Sequence, residues 1–205
     1  MPLHVVDHPI VAHITTLLRD KTTEPPRFRS LCSQISHFLI MEAMRELGRK
    51  RVQVETPMEV CDGELLARPL VVVPILRAGL AMLQPSLDIF SEISVGYVGL
   101  ERDETTAQAH TYYCKLPNLE GRDVLILDPM LATGGSAKKA LEQVAENNPA
   151  SITMVSIVAA PEGVRHLEEA FPHLPIYTAA LDRALDAQKY IVPGLGDFGD
   201  RLFGT

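Results

Sequence analysis

Apolar residues are spaced as in helices over the first third of this chain and gather into short solid runs after it. Within residues 9–20, Ile10, Ile14, Leu17 and Leu18 recur with polar residues between them, the pattern of an amphipathic helix. Residues 21–26 form a polar break that ends in Pro25 and Pro26. From Ser30 to about Leu47, one face carries Leu31, Ile35, Phe38, Leu39 and Ala43, and Gly48 marks a stop. Residues 52–57 alternate with period two and predict a strand or arm closed by Pro57.

The pattern changes at residue 70. Residues 70–76, 93–100, 123–127, 152–160 and 176–181 are apolar runs bounded by turn residues, as in parallel strands buried on both faces. Helical segments at 80–90, 136–146 and 161–170 separate most of them. This alternation predicts an α/β fold, a parallel central sheet with helices on both faces. Residues 103–110 are polar and aperiodic, so a mobile loop or hairpin is expected there.

At 205 residues the chain suits one domain with a sizeable core. We expect it to divide into N-terminal helices and an arm (1–69), an α/β core (70–182) with a mobile segment near 103–116, and a C-terminal segment (183–205). A formal net charge of -7 argues against non-specific binding to nucleic acid or an anionic membrane. Cys32, Cys61 and Cys114 are far apart and form no Cys-x-x-Cys pair, so buried or idle thiols in a reducing compartment are expected, not a zinc site or a disulfide framework. The opening residues show no basic stretch followed by an apolar run, and no run nears ~20 apolar residues, so neither a signal peptide nor a membrane span is expected.

Chemistry concentrates in Val124-Leu-Ile-Leu-Asp-Pro-Met-Leu-Ala-Thr-Gly-Gly-Ser136. An apolar run ends in an acid, Asp128, and a short loop leads to Thr133-Gly-Gly-Ser and a helix near Ala137. Ligands of open parallel sheets sit beyond the carboxyl ends of strands. Glycines allow close backbone approach, and the free N–H groups of a helix start favour a phosphate. Thr133 and Ser136 add hydroxyls. A carboxylate repels phosphate, so Asp128 suits sugar hydroxyls instead. The plainer reading is a tight turn with Ser136 as N-cap. No Gly-Lys-Ser/Thr is present, which disfavours a Walker A loop.

The stretch from Asp128 through Pro129, Met130, Leu131, Ala132, Thr133, Gly134 and Gly135 to Ser136 resembles the signature by which uracil phosphoribosyltransferases bind 5-phosphoribosyl 1-diphosphate (PRPP). These are type I phosphoribosyltransferases. Most relatives have two adjacent acids here, whereas the uracil enzymes typically have Asp-Pro, as this chain does. The resemblance extends over nearly the whole chain: Val6-Asp-His-Pro-Ile-Val-Ala-His and Leu18-Arg-Asp-Lys-Thr at the start, then Pro74-Ile-Leu-Arg-Ala-Gly79 as a diphosphate loop. Arg102-Asp-Glu-Thr and Tyr112-Tyr-Cys-Lys-Leu-Pro117 resemble the flexible segment and its return strand, and Ala159-Ala-Pro-Glu-Gly163 and the block from Tyr190 to Asp200 resemble later family blocks. Departures are Leu100-Glu101 before the arginine, residues 107–111, and Phe198, a position often alanine.

The resemblance implies transfer of the 5-phosphoribosyl group of PRPP to uracil, giving UMP and diphosphate in pyrimidine salvage. It implies PRPP contacts from Arg77, Arg102, residues 128–136 and Asp197, with Arg102 and Asp128 catalytic. It implies a uracil pocket at Ile191, Gly196, Asp197 and Phe198. It further implies magnesium carried mainly by PRPP with no dedicated protein site, a homo-oligomer of two or more copies, a cytoplasmic location and, in some members, activation by GTP. Gly194-Leu-Gly-Asp-Phe-Gly199 matches Gly-x-Gly-x-x-Gly, but it stands at the end of the chain with no room for a dinucleotide-binding unit. No histidine is assigned to catalysis or metal. Two other readings stay open: an RNA-binding regulator on the same fold, and a phosphoribosyltransferase for another base.

Overall fold

The computed structural model describes residues 3–102 and 109–205. Strand β1 (Leu3–Val5) leads into helices α1 (Pro9–Arg19) and α2 (Pro25–Ala43). A hairpin of β2 (Arg49–Glu55) and β3 (Val60–Leu66) follows, then β4 (Leu70–Leu76), α3 (Leu80–Ile89), β5 (Ser94–Val95), β6 (Tyr97–Arg102) and β7 (Ala109–Lys115). The core is completed by β8 (Asp123–Leu127), β9 (Met130–Leu131), α4 (Gly135–Ala145), β10 (Ser151–Ala159), α5 (Pro161–Ala170) and β11 (Ile176–Leu181). Short strands β12 (Ala184–Leu185) and β13 (Ile191–Val192) and helix α6 (Phe198–Phe203) close the chain.

The main sheet runs β1-β11-β10-β8-β4-β6-β7, with β5 beside β4 and β9 beside β10. Its pairings are parallel except β6 with β7. The central strands are solidly apolar because alternate residues enter different cores. Val72, Leu125, Leu127, Val155 and Ile157 join the core under α1, α2 and α3, while Val71, Val73, Val124, Ile126 and Met154 join the one under α4 and α5. The α/β class expected from the sequence is therefore what the chain adopts. No helix among the described residues is long and apolar enough to cross a membrane.

Several boundaries differ from those expected. Helix α2 begins at Pro25, so the paired prolines open a helix instead of closing a break. Proline fits there because the first helical N–H groups have no intrahelical acceptor and its φ is already helical. The helix stops at Ala43, and Leu47 sits in a turn whose N–H donates to the Met44 carbonyl at 3.1 Å. On α1 the buried apolar face is Val11, Ile14 and Leu18, and Ile10 is exposed. The run at 93–100 splits into β5 and β6 at Gly96. The strand expected at 52–57 starts at Arg49, and its partner β3, polar and poorly patterned, was not expected. That hairpin is separate from the main sheet and mostly exposed on both faces. Strands β1, β9, β12 and β13 were also not foreseen; each has only two or three residues. Of the expected mobile segment near 103–116, residues 109–115 form β7, paired antiparallel with β6, and residues 103–108 lie outside the described residues.

All three cysteines are free, and they differ in environment. Cys32 is buried on α2, and burial pushes its thiol up to about 12. Cys61, on β3, is exposed. The thiolate is the reactive form. Iodoacetamide at pH 8 should therefore label Cys61 and spare Cys32 in native protein, with Cys32 reacting after unfolding; peptide mass spectrometry reads the outcome. Rapid native labelling of Cys32 would contradict this burial.

Candidate active site

Two neighbouring parallel strands, β4 and β8, end side by side, with Pro74 in register with Leu127. Each then enters a loop that carries candidate chemistry. After β8, Asp128 is half-buried and its Oδ1 lies 3.4 Å from the Met130 N–H. The loop is stitched to β10: the N–H groups of Ile157 and Val158 both donate to the Pro129 carbonyl at 3.0 Å, and Ala160 donates to Leu131 at 2.8 Å. Gly134 then turns the chain with φ +81° and is the N-cap of α4, so the helix starts at Gly135. Ser136 lies inside the first turn and is not the cap, contrary to the plainer sequence reading. Residues 128 and 130–137 enclose a concavity of about 40 Å³ at this helix start. The first N–H groups of a helix lack intrahelical acceptors, and together with the hydroxyls of Thr133 and Ser136 they make a cradle for an anion.

The loop after β4 carries Arg77, which is exposed and makes no ion pair among the described residues. The Leu76–Arg77 peptide bond is cis. Gly79 seats this loop against β8. A Cβ there would lie 2.5 Å from the Leu127 carbonyl oxygen and 2.7 Å from Ile75 backbone atoms, so only glycine fits. Gly163 plays the same part from α5, where a Cβ would lie 2.4 Å from the Ala132 carbonyl oxygen. The backbone of Arg102 ends β6, in register with Ala109 of β7.

A cavity of about 260 Å³ adjoins the cradle. Met130 and Ala132 line both spaces, Ala78 borders the cavity from the β4 loop, and Ile191, Gly196, Asp197 and Phe198 border it from the C-terminal segment. The structure thus brings together residues 128–136, the Arg77 loop and the expected base-binding residues. Phe198 is buried, with its ring edge-on to Phe28 at 5.4 Å, so it bounds the cavity from within the core. Asp197 is exposed and caps α6, accepting the Asp200 N–H at 3.0 Å. The six-residue α6 starts inside the glycine-rich block at Phe198. Ala78, Lys189 and Tyr190 also line the cavity and were not singled out in the sequence. Ala78 and Tyr190 stand in blocks that carry the family resemblance, beside Arg77 and Ile191; Lys189 carried no signal apart from its place before Tyr190.

Glu162, at the start of α5, accepts the Leu185 N–H at 3.2 Å. Its own backbone N–H and that of Leu185 hold its carboxyl below the usual range. Among the described residues no group of three His, Cys, Asp or Glu side chains is arranged to hold a metal.

Comparison with known proteins places this geometry in a family. The family model described as "Uracil phosphoribosyltransferase" matches residues 5–205. The uracil phosphoribosyltransferase of Dictyoglomus turgidum is 49% identical over 203 residues, 98% of each chain. That of Roseiflexus castenholzii is 50% identical over 202 residues, 98% of this chain and 97% of its own. Among solved structures, the AQ2163 protein from Aquifex aeolicus matches with a TM-score of 0.94 at 36% identity, covering 99% of this chain and 98% of its own. A purine phosphoribosyltransferase from Pyrococcus horikoshii matches at a TM-score of 0.51 and 15% identity over 73% of this chain and 82% of its own, a likeness of fold alone. Since the family match runs through both loops, the cavity and the C-terminal segment, the chain belongs to the uracil phosphoribosyltransferase family.

Proposed function

We propose that this protein transfers the 5-phosphoribosyl group of PRPP to uracil, releasing UMP and diphosphate. The observation that carries the reading is the sharing of Met130 and Ala132 between the helix-start cradle and the adjoining cavity. A phosphate and a small planar base can thereby be held on either side of one loop, with the sugar between them. The cavity lies just below the usual size range of drug-sized sites, as a single pyrimidine ring requires.

The reaction replaces the bond from the anomeric carbon to diphosphate with one to a uracil ring nitrogen. The sugar becomes cation-like as diphosphate gathers charge. In this reading the first N–H groups of α4, with Thr133 and Ser136, hold the 5-phosphate. Asp128 accepts hydrogen bonds from ribose hydroxyls and fixes the ring for in-line displacement. Arg77 and Arg102 stabilise the leaving diphosphate as its charge develops. Backbone N–H and C=O groups near Ile191, Gly196 and Phe198 read the base edge, and Asp197 stands between base and sugar. With Asp128 as the one carboxylate in the loop, the chain offers few oxygen ligands of its own, so magnesium would arrive with PRPP and would supply charge screening for the leaving diphosphate.

The exposed β2–β3 hairpin supports a homo-oligomer. Val54 and Val60 are exposed on it, and an isolated two-stranded hairpin is marginal in water without a covering surface. Three free cysteines suit a cytoplasmic location.

Purified protein given uracil, PRPP and magnesium should form UMP, read by chromatography. The assay is run with and without GTP, the effector that the family resemblance implies for some members. Failure of folded protein to make UMP at millimolar substrates in both conditions overturns the reading. Asp128→Asn should fold and lose about tenfold to a hundredfold in kcat/KM, the effect of roughly 1.5–3 kcal/mol for a lost charged contact. Wild-type kcat/KM in that variant would remove Asp128 from the mechanism. Gly163→Ala should displace the loop at Ala132 and lower kcat/KM by about tenfold or more, since small misplacements in a site are costly. Unchanged kinetics would show that the loop tolerates the shift.

A further inference from the structure

The C-terminal wall of the cavity hangs on a turn between β13 and α6. Gly194 and Gly196 both have positive φ there, +61° and +76°. Gly194 is buried, and a Cβ on it would lie 2.1 Å from the Ile191 carbonyl oxygen. A turn folded this tightly has no strand partner for its peptide groups, and buried peptide groups need partners.

Both partners of Gly194 come from one ion pair. Its N–H donates to Asp182 Oδ2 at 2.8 Å, and its carbonyl accepts from Arg19 Nη1 at 3.1 Å. Arg19 meets Asp182 with two prongs, Nη2 to Oδ1 at 2.6 Å and Nη1 to Oδ2 at 3.0 Å. Asp182 is 6% exposed, just beyond β11, and its N–H donates to the Ala159 carbonyl at 2.8 Å. Arg19 is the last residue of α1, 163 positions earlier in the chain. Neither side chain lines the cavity.

A buried carboxylate is costly without a cation, so Arg19 is needed wherever Asp182 is. An ion pair that merely stapled α1 to the sheet would need only the two prongs. Here two further hydrogen bonds go to the two backbone polar groups of a single residue, Gly194, in the segment that forms the cavity's wall. Ile191 and Gly196, three residues before and two after Gly194, border the cavity.

We propose that Arg19 and Asp182 are positioning residues that clamp Gly194 and so set the spacing of Ile191 and Gly196 for a planar pyrimidine base. This rests on the cavity being the uracil site. The clamp acts on the base and leaves the cradle at residues 128–136 untouched, so it should separate the two substrates.

The test is steady-state kinetics of Asp182→Asn and Arg19→Lys, each with KM measured for uracil and for PRPP. Asp182→Asn should raise the KM for uracil by about tenfold while the KM for PRPP stays within about twofold. Arg19→Lys keeps the compensating charge but loses the fork that reaches both Asp182 and Gly194, so it should raise the KM for uracil by a smaller factor. Thermal melts confirm folding, and if Asp182→Asn does not fold, the lysine variant alone decides. Equal changes in both KM values, or a lowered Tm with an unchanged KM for uracil, would reduce the pair to a staple and overturn the clamp. Wild-type protein that makes no UMP would sink the uracil reading, and the clamp with it.

Discussion

Parallel neighbours in a sheet end at the same edge, and β4 and β8 do so in register, Leu70 with Asp123 through to Pro74 with Leu127. The two candidate loops, the concavity at the start of α4 and the adjoining cavity are arranged around that shared edge. The β8 loop meets the start of α4, the β4 loop meets the start of α3, and a phosphate favours such helix starts. The sheet can hold this edge rigidly because its central strands are buried on both faces, each residue locked into one of two cores.

Close backbone approach turns the edge into a cavity. Gly79 brings the Arg77 loop against the end of β8, and Gly163 brings α5 against the carbonyls of Leu131 and Ala132. At either position even a methyl group would force backbone atoms apart. The geometry of the site is therefore set by packing as well as by the side chains that face it, and Met130 and Ala132 can border both the cradle and the cavity.

The C-terminal segment obeys a different rule. It has little regular structure of its own: a hairpin of two-residue strands and a six-residue helix. Its order comes from distant partners. Arg201 donates to the carbonyls of Leu18, Leu195 and Asp20 and lies 4.4 Å over the Phe28 ring, while Glu162 holds Leu185. Elements from the first thirty residues thus shape the wall built by the last twenty.

The long elements were legible because burial imposes a period that the residues must obey. The solid runs at 70–76 and 123–127 became central strands within the bounds expected, and the spacing of Ile14, Leu18, Leu31, Ile35 and Leu39 marked true buried faces. The candidate loop at 128–136 was legible too, because its acid, glycines and hydroxyls stand together in the chain. Short pieces were not: β1, β9, β12 and β13 have too few residues to show a period, and β3 has no buried face to give it one. Local sequence by itself determined the fold class and which polar residues and glycines stand together in the loop after β8. Only the tertiary structure decided that Phe198 lies against Phe28 and that Arg19 meets Asp182 over Gly194. The physical reason is that hydrophobic period and turn chemistry act between near neighbours in the chain, whereas these contacts join residues from opposite ends of it, which become neighbours only when the sheet has closed.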